Sequence, residues 1–359
     1  MSALRTLLCE QLGCDAPVIQ TAMGWVATPP LVVASSEAGA FGFLAAAVMK
    51  PAEVRSTIAE VRAGTTRPFG VNFHMFQPGA AEIVEIILAN REQVRAVSFG
   101  RGPDAKMIGR FKDAGILCIP TVGAVKHARK MVELGVDMVT VQGGEGGGHT
   151  GSVPTTILLP QVLDAVKVPV IAAGGFADGR GLAAALAFGA VGIAMGTRFL
   201  MTKESPVPDA TKARYLAAGT DDIEVTDKVD GLPQRMIVNA MLRRIEIGGG
   251  LAQWVRAGRA GLTMKKQTGA SFGDLLRMAR GMTSHGGLTL AQAMSAAAVP
   301  ALIQRAVVDG KPDEGLMATG LVAGRLAELP SCAELVASIV AEAQDRLAAL
   351  APLARSEAA

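Results

Sequence analysis

The stretch PVIAAGGFADGRGLAAALAFGAVGIAMGTRF, residues 169–199, holds two short apolar runs joined by a segment with helical periodicity. The runs are PVIAA at 169–173 and VGIAM at 191–195, each the length of a strand buried on both faces. A glycine-bearing turn follows each run. A strand, a helix and a second strand at this spacing are typical of a βαβ unit in a parallel sheet.

The same unit extends back through the first two hundred residues. Successive apolar runs begin 21 to 32 residues apart, and helical stretches such as AEVRSTIAEVRA separate them. Eight such units predict an α/β fold, a (β/α)8 TIM barrel. A doubly wound open sheet is the competing arrangement, but the eight regular units and the lack of an early GxGxxG favour the barrel. The runs are PVIQT, GFLAA, FGVNF, RAVSFG, ILCIP, DMVTVQ, PVIAA and VGIAM.

The rhythm stops after Gly219, which predicts three parts of the chain. Residues 1–219 form the barrel, residues 220–312 form a small, mainly helical C-terminal lid without strands, and residues 313–359 form helices that return to the barrel. Between Arg235 and Arg280 there are nine Lys or Arg and two acidic residues, a net charge of 9 − 2 = +7 against +3 for the whole chain. The lid is therefore strongly basic, although a solvated cationic face explains the charge equally well.

Composition narrows the class of protein. Half of the 359 residues are apolar and only 4 % are aromatic, so a large core is available and no stacking platform for nucleic acid is present. The four cysteines are far apart and no histidine lies at metal-ligand spacing, so we expect reduced thiols, no metal and a cytoplasmic protein. No apolar run reaches ~18 residues and the N-terminus is not a signal peptide, so no membrane association is expected.

Two glycine-bearing turns follow neighbouring strands where TIM barrels often bind phosphate. Gly174 and Gly175 follow the seventh run, and Gly196 and Thr197 follow the eighth, each ahead of a helix. Glycine lets backbone amides approach a phosphate closely, and a helix N-terminus adds partial positive charge. Either turn alone is explained by a left-handed glycine, but two on adjacent strands indicate a phosphate site.

The segment QGGEGGGHTG, residues 142–151, follows the sixth run. So many glycines reduce stability, because each loses much conformational freedom on folding. A flexible loop tip is the alternative explanation, but Gln142 and His149 are polar groups at the end of the barrel where reactive residues lie. Histidine suits proton transfer near neutral pH, so His149 is a candidate acid/base, with a structural role equally open.

Two other strand ends carry polar or close-packing residues. Met23 and Gly24, in QTAMGW, are able to pass close to a flat ring system. In GVNFH, Asn72 has an amide that suits the edge of a heterocycle. His74 shares the face of Asn72 if the strand continues, although a partly exposed loop histidine explains it better.

Together these residues resemble the nitronate monooxygenase family of FMN-dependent barrels, which includes a flavin-dependent enoyl-reductase branch. The resemblance rests on PVIQTAMGWV, FGVNF, QGGEGGGHTG, VIAAGGFADGRGLAAALAFGA, MGTRFL and LPSCAEL, and it covers nearly the whole chain. It implies that FMN is the cofactor and that His149 is the catalytic acid/base. It also implies that Met23 and Gly24 line the flavin ring, that Asn72 and Gln142 contact the ring or ribityl chain, and that the phosphate is held by Gly147, Gly148, Gly174, Gly175, Gly196 and Thr197.

The later part of the chain is similar to a branch of the family found in actinobacterial steroid breakdown. The stretches VPDATKARYLAAG, VDGLPQR and VDGKPDEG carry this similarity. It implies oxidation, or reduction, of a ring carbon–carbon bond in a bulky acyl-coenzyme A. Lysine and arginine neutralise the phosphates of coenzyme A well, so Arg243, Arg244, Lys265 and Lys266 are predicted to bind the substrate. His74, near the end of the third strand, is the fifth predicted substrate-binding residue.

The motif set does not choose among the reactions of the family. A nitronate monooxygenase and an NAD(P)H:quinone reductase are the alternatives to an acyl-CoA oxidoreductase, and NAD(P)H or another redox partner and a homodimer are compatible with all three. A barrel that binds a phosphorylated ligand without flavin is a further alternative, because a fold does not fix a function.

Overall fold

The computed structural model describes residues 4–74, 77–100, 105–247 and 299–353. By internal packing the chain divides into two compact units. The first comprises Met1–Gly146, Gly151–Pro206 and Leu326–Ala359, and the second comprises Gly147–Thr150 and Val207–Arg325. The functional division predicted at 219/220 and 312/313 stays a prediction.

The first unit is built on one parallel sheet that closes on itself. Its strand order is β5-β4-β3-β2-β1-β10-β9-β7-β6, and β5 and β6 are two parts of one segment, separated only by Ile119 and Pro120. Because this segment pairs with β4 on one side and β7 on the other, it joins the two ends of the sheet. The predicted (β/α)8 barrel is confirmed. The strands are β1 Val18–Gln20, β2 Phe41–Ala45, β3 Phe69–Phe73, β4 Val94–Phe99, β5 Leu117–Cys118, β6 Thr121–Val122, β7 Val139–Gln142, β9 Val170–Ala173 and β10 Gly192–Met195.

Helices alternate with these strands and shield them from solvent. The strands β2, β9 and β10 are buried along their whole length, which explains why their sequences are continuous apolar runs. The C-terminal helix packs closely on α8 through Gly179, where a Cβ atom would lie 2.5 Å from the Ile339 carbonyl oxygen. The helices are α1 Leu7–Leu12, α2 Pro29–Glu37, α3 Pro51–Gly64, α4 Ala80–Ala89, α5 Ala105–Asp113, α6 Val125–Glu133, α7 Thr155–Ala165, α8 Gly179–Phe188, α9 Thr197–Leu200 and, as α13, Cys332–Leu350, with a 3₁₀ turn at Ala46–Val48.

The described part of the second unit combines helices with a three-stranded antiparallel sheet of order β11-β12-β8. The expectation that residues 220–312 lack strands is wrong, because the alternating IEVT and QRMI segments are too short to stand out as apolar runs. They become strands because β11 pairs with β12, and β12 pairs in turn with Gly148 and His149 of the glycine-rich segment, residues 142–151. The elements are β8 Gly148–His149, α10 Asp209–Ala217, β11 Ile223–Thr226, β12 Gln234–Ile237, α11 Ala240–Ile247 and α12 Val299–Val307, with 3₁₀ turns at Thr220–Asp222 and Leu321–Arg325.

Each unit has an apolar core of its own. The sheet of the first unit encloses side chains such as Phe41, Phe43 and Ile171, whereas Met236, Leu242 and Leu316 centre a separate cluster in the second unit. Among the described residues, every helix is too short or too polar to cross a bilayer.

Candidate active site

The residues predicted to bind the cofactor in the first unit gather at the carboxyl end of the barrel strands. The strands are parallel and their ends are in register, with Gln20 beside Met195 and Gln142 beside Ala173. The carboxyl ends therefore meet at one edge, the edge at which TIM barrels place their active sites. The predicted residues at or just beyond these ends are Met23, Gly24, Asn72, His74, Gln142, Gly174, Gly175, Gly196 and Thr197.

The glycine pair after β9 has a backbone that side chains rarely adopt. Gly174 has φ +92° and Gly175 has φ +82°. A Cβ atom at Gly174 would lie 3.0 Å from the Gly143 carbonyl oxygen and 3.2 Å from Thr155 Oγ1. Glycine is therefore required at Gly174 both for its conformation and because a side chain would be crowded by Gly143 and Thr155.

The N-terminus of α8 is occupied by carboxylates. Asp178 Oδ1 accepts a hydrogen bond from the Gly181 amide at 3.2 Å, and Glu342 Oε2 accepts one from the Gly179 amide at 2.8 Å. These two carboxylates satisfy two of the amides at this helix end and bring negative charge to it, so a phosphate at this helix end stays a prediction that the capping does not favour. Any phosphate at this corner would be held by the strand-end turns.

The turn after β1 places Met23 beside the turn after β10. A Cβ atom at Gly196 would lie 3.4 Å from Met23 Sδ. The Met23 carbonyl accepts hydrogen bonds from the amides of Val26 and Ala27 at 3.0 and 2.9 Å. This tight turn holds Trp25 at φ +62°, the only positive φ of a non-glycine residue among the described residues. A bulky residue in this region is strained, and such strain concentrates at functional sites. The sequence carried no signal for it.

Two side chains at the end of β3 have fixed positions. Asn72 Nδ2 donates to the Ser98 carbonyl oxygen at 3.1 Å, which orients the side-chain amide. His74 is half-buried, and its backbone amide donates to Gln77 Oε1 at 2.8 Å. The Gln77 amide in turn donates to the Ala46 carbonyl at 3.0 Å. His74 is therefore partly exposed, as the alternative interpretation predicts, but its backbone is held in place by the contacts of Gln77.

The first half of the glycine-rich segment is tied to the barrel. The Glu145 carboxylate accepts hydrogen bonds from the Thr155 backbone amide at 2.9 Å and from Thr155 Oγ1 at 2.7 Å. A Cβ atom at Gly146 would lie 2.5 Å from Gln142 Nε2, so the Gln142 side chain packs over this glycine. These contacts give residues 142–146 a defined structure in place of the loop tip considered above. Sequence reasoning missed Thr155.

The second half of the segment, in the second unit, carries His149. Its strand β8 pairs with β12, where His149 lies opposite Gln234 and the Thr150 amide donates to the Pro233 carbonyl at 3.1 Å. His149 Nε2 lies 2.8 Å from Asp230 Oδ2. The histidine side chain is 54 % exposed and the aspartate side chain only 13 %, so a solvent-accessible imidazole contacts a largely buried carboxylate.

Asp230 is held from several directions. Its Oδ1 accepts a hydrogen bond from the Leu232 amide at 3.1 Å. Burial alone would raise the pKa of this carboxyl, but interactions with His149 and Gln234 outweigh burial and lower the pKa below its ordinary value. Asp230 is therefore an ionised acceptor at neutral pH. The Asp-Gly pair in VDGLPQR is typical of a turn, but no pattern in the sequence predicts the contact of Asp230 with His149.

The remaining predicted residues divide between those that the structure describes and those that it does not. A Cβ atom at Gly147 would lie 2.5 Å from the Gly320 amide nitrogen, and Gly148 adopts φ +63°. Arg243 and Arg244 are exposed on α11, whereas Lys265 and Lys266 lie outside the described residues. A phosphate contact of Gly147 or Gly148 and a substrate contact of the four basic residues stay predictions.

A closed (β/α)8 barrel with glycine-bearing turns after its strands is an architecture on which many enzymes build their active sites. Residues 5–342 match the family model described as nitronate monooxygenase. The chain therefore belongs to the nitronate monooxygenase family of flavin oxidoreductases.

Two curated relatives match almost the whole chain. Both are named (3aS,4S,5R,7aS)-5-hydroxy-7a-methyl-1-oxo-octahydro-1H-indene-4-carboxyl-CoA dehydrogenase. The one from Rhodococcus jostii is 46 % identical over 353 residues, 98 % of this chain and 99 % of the relative. The one from Mycobacterium tuberculosis is 48 % identical over 343 residues, 95 % of this chain and 96 % of the relative. Among solved structures, FabK from Thermotoga maritima has a TM-score of 0.79 and 31 % identity, covering 98 % of this chain and 99 % of that chain.

Proposed function

We propose that the chain is an FMN-dependent dehydrogenase that acts on a bicyclic, ring-bearing acyl-coenzyme A of the kind produced when steroids are degraded. The observation that carries the proposal is the similarity to the two indene-carboxyl-CoA dehydrogenases, which extends over nearly the full length of each chain. Similarity of this extent includes the segments outside the barrel motifs, and these are the segments most able to differ between substrates.

The strand-end glycines support FMN as the particular flavin, because its phosphate is a monoester without a second nucleotide. Gly174 and Gly175 have positive φ angles that glycine adopts more readily than any other residue, and Gly196 and Thr197 follow the neighbouring strand. In this proposal these four residues hold the phosphate, while Met23 and Gly24 line the ring. Asn72 and Gln142 contact the ring edge or the ribityl chain. When bound, the flavin supplies the acceptor for a hydride.

His149 is the proposed acid/base. In the oxidative direction it removes the proton from the carbon next to the thioester carbonyl, since the carbonyl makes that proton acidic. A bound flavin would supply the acceptor for the hydride that leaves the adjacent β-carbon. A proton and a hydride have then left the substrate and a carbon–carbon double bond has formed. The reverse sequence reduces the double bond.

Exposed basic residues support the coenzyme A part of the proposal. Arg243 and Arg244 are adjacent on α11 and both reach solvent. Guanidinium groups bind phosphate oxygens through paired hydrogen bonds, and coenzyme A carries several phosphate groups. We assign the same role to Lys265 and Lys266 on their sequence alone.

The test is anaerobic mixing of the flavin-loaded protein with candidate substrates while flavin absorbance is followed. A bicyclic hydroxylated indene-carboxyl-CoA should bleach the flavin, and the free acid without coenzyme A should bleach it far more slowly. An alkyl nitronate is the comparator, because the family model is named for that reaction. The His127→Ala variant is the matched control for His149→Ala, since His127 is an exposed histidine on α6. Rapid turnover of the nitronate together with no response to any acyl-CoA would overturn the assignment.

A further inference from the structure

We propose that Asp230 is a positioning residue that fixes His149 as the tautomer with hydrogen on Nε2, so that Nδ1 is the nitrogen that exchanges a proton with the substrate. This inference rests on the proposed role of His149 and extends it to a residue outside the barrel. The juxtaposition on which it depends is the 2.8 Å approach of His149 Nε2 to Asp230 Oδ2.

The sheet of the second unit sets this approach. β8 and β12 are antiparallel, with Gln234 directly opposite His149 and Arg235 opposite Gly148. Residues directly opposite in such a ladder have side chains on the same face. Asp230 precedes β12 in the loop that follows β11, where the Gly231 amide donates to the Asp227 carbonyl at 2.8 Å and Gly231 adopts φ +85°. The loop thus carries the carboxylate to the imidazole.

The carboxylate is fixed before any substrate arrives. Asp230 Oδ1 is engaged by the Leu232 amide at 3.1 Å, which leaves Oδ2 directed to His149. The exposures are unequal, 54 % for the histidine and 13 % for the aspartate side chain. An ordinary surface pair such as Lys203 with Glu334 is exposed at both ends, 60 % and 61 %. The difference in exposure is what we expect if His149 contacts the substrate and Asp230 contacts only His149.

The chemistry of imidazole then fixes the tautomer. A neutral imidazole has one N–H donor and one lone-pair acceptor, and an ionised carboxylate only accepts. The contact with Asp230 therefore requires hydrogen on Nε2, and the lone pair lies on Nδ1. When Nδ1 takes a proton, the resulting imidazolium remains in contact with the carboxylate. This is the division of roles in Ser-His-Asp enzymes, with the two ring nitrogens exchanged.

The first experiment reads the tautomer without depending on turnover. The full-length chain is labelled with ¹⁵N-histidine, and the His149 ring signals are assigned by their loss in His149→Ala. At a pH where His149 is neutral, we expect protonated Nε2 and unprotonated Nδ1. In Asp230→Asn the side-chain amide is able to donate to Nε2, so Nδ1–H should become the major form or the two forms should mix. Asp227→Asn, the same change at an exposed residue of the same loop, should leave the spectrum unchanged.

The second experiment is kinetic. Asp230→Asn should keep flavin bound and slow substrate-dependent flavin reduction by about 10- to 100-fold, less than in a buried triad because water reaches this imidazole. The KM should stay within about twofold, and Asp230→Glu should recover part of the rate. In a His149→Ala background, Asp230→Asn should cause no further loss, because the two residues act through one imidazole.

Two results would overturn the inference: an unchanged His149 tautomer in Asp230→Asn, or independent, multiplicative losses in the double variant. Failure of the proposed function looks different. If no acyl-CoA reduces the flavin, the substrate assignment fails while the tautomer measurement still decides the role of Asp230.

Discussion

Gly175→Asp tests whether the corner after β9 holds a phosphate, and Gly175→Asn is its matched control. The two side chains have the same shape, and both tolerate a left-handed backbone better than other residues do. At φ +82° we expect each to cost about 1 kcal/mol of folding stability. A Cβ atom at this position would lie 3.4 Å from Glu145 Cβ, which is ordinary contact, and 3.9 Å from the Glu145 carboxyl carbon, so the aspartate variant also places two carboxylates close together and its folding stability is measured beside that of the asparagine variant. Charge is then the difference between the variants.

The magnitude follows from Coulomb's law. A carboxylate on Gly175 would lie roughly 5 Å from a phosphate bound by the turn, and at an effective dielectric constant of about 20 each unit of phosphate charge is repelled by about 3 kcal/mol. That energy corresponds to about a 10²-fold weaker Kd for FMN. The aspartate variant should therefore lose FMN on dialysis, whereas the asparagine variant should hold it measurably.

The assay is FMN binding followed by quenching of flavin fluorescence, with thermal unfolding as the check on folding. Raising the ionic strength should narrow the gap between the two variants, because the charge is partly exposed. Equal FMN affinity for both variants would refute the reasoning and would place the phosphate elsewhere. A colourless parent protein that cannot be reconstituted with FMN would refute the cofactor itself.

Four other perturbations test different parts of the molecule. His149→Ala should retain FMN and slow single-turnover flavin reduction by about 10²–10⁴-fold, the usual contribution of a positioned acid/base, and an unchanged rate would make the residue structural. Neutralising Arg243 and Arg244 together should raise the KM for an acyl-CoA more than it lowers kcat, because remote phosphate contacts bind ground and transition states alike; a selective loss of kcat would contradict this. Gly179→Ala should reduce the free energy of unfolding by about 1–3 kcal/mol in urea titrations, because its Cβ would lie 2.5 Å from backbone atoms of α13. Gly109→Ala, in a helix with open space around it, should instead raise stability by about 0.5–1 kcal/mol.

The sequence by itself determined the barrel and the edge of it that carries the candidate site residues of the first unit. Buried parallel strands need apolar residues on both faces, so a run such as VIAA predicts a strand without any knowledge of the strands beside it. A turn such as Gly174–Gly175 is also predictable from the sequence, because the left-handed backbone that it requires is a local property of glycine. Their position after neighbouring strands follows from the βαβ repeat.

Only the tertiary structure decided the contacts that depend on segments distant in the chain. Asp230 meets His149 across 81 residues, through pairing of β8 with β12, and no local pattern encodes that pairing. Glu342 reaches the α8 N-terminus from the last helix, so the helix end that seemed suited to a phosphate is already capped. Periodicity reports which face of an element is buried, whereas hydrogen bonds between distant polar side chains depend on strand register and packing. The partner of a candidate catalytic residue is therefore the feature that folding, and not composition or spacing, decides.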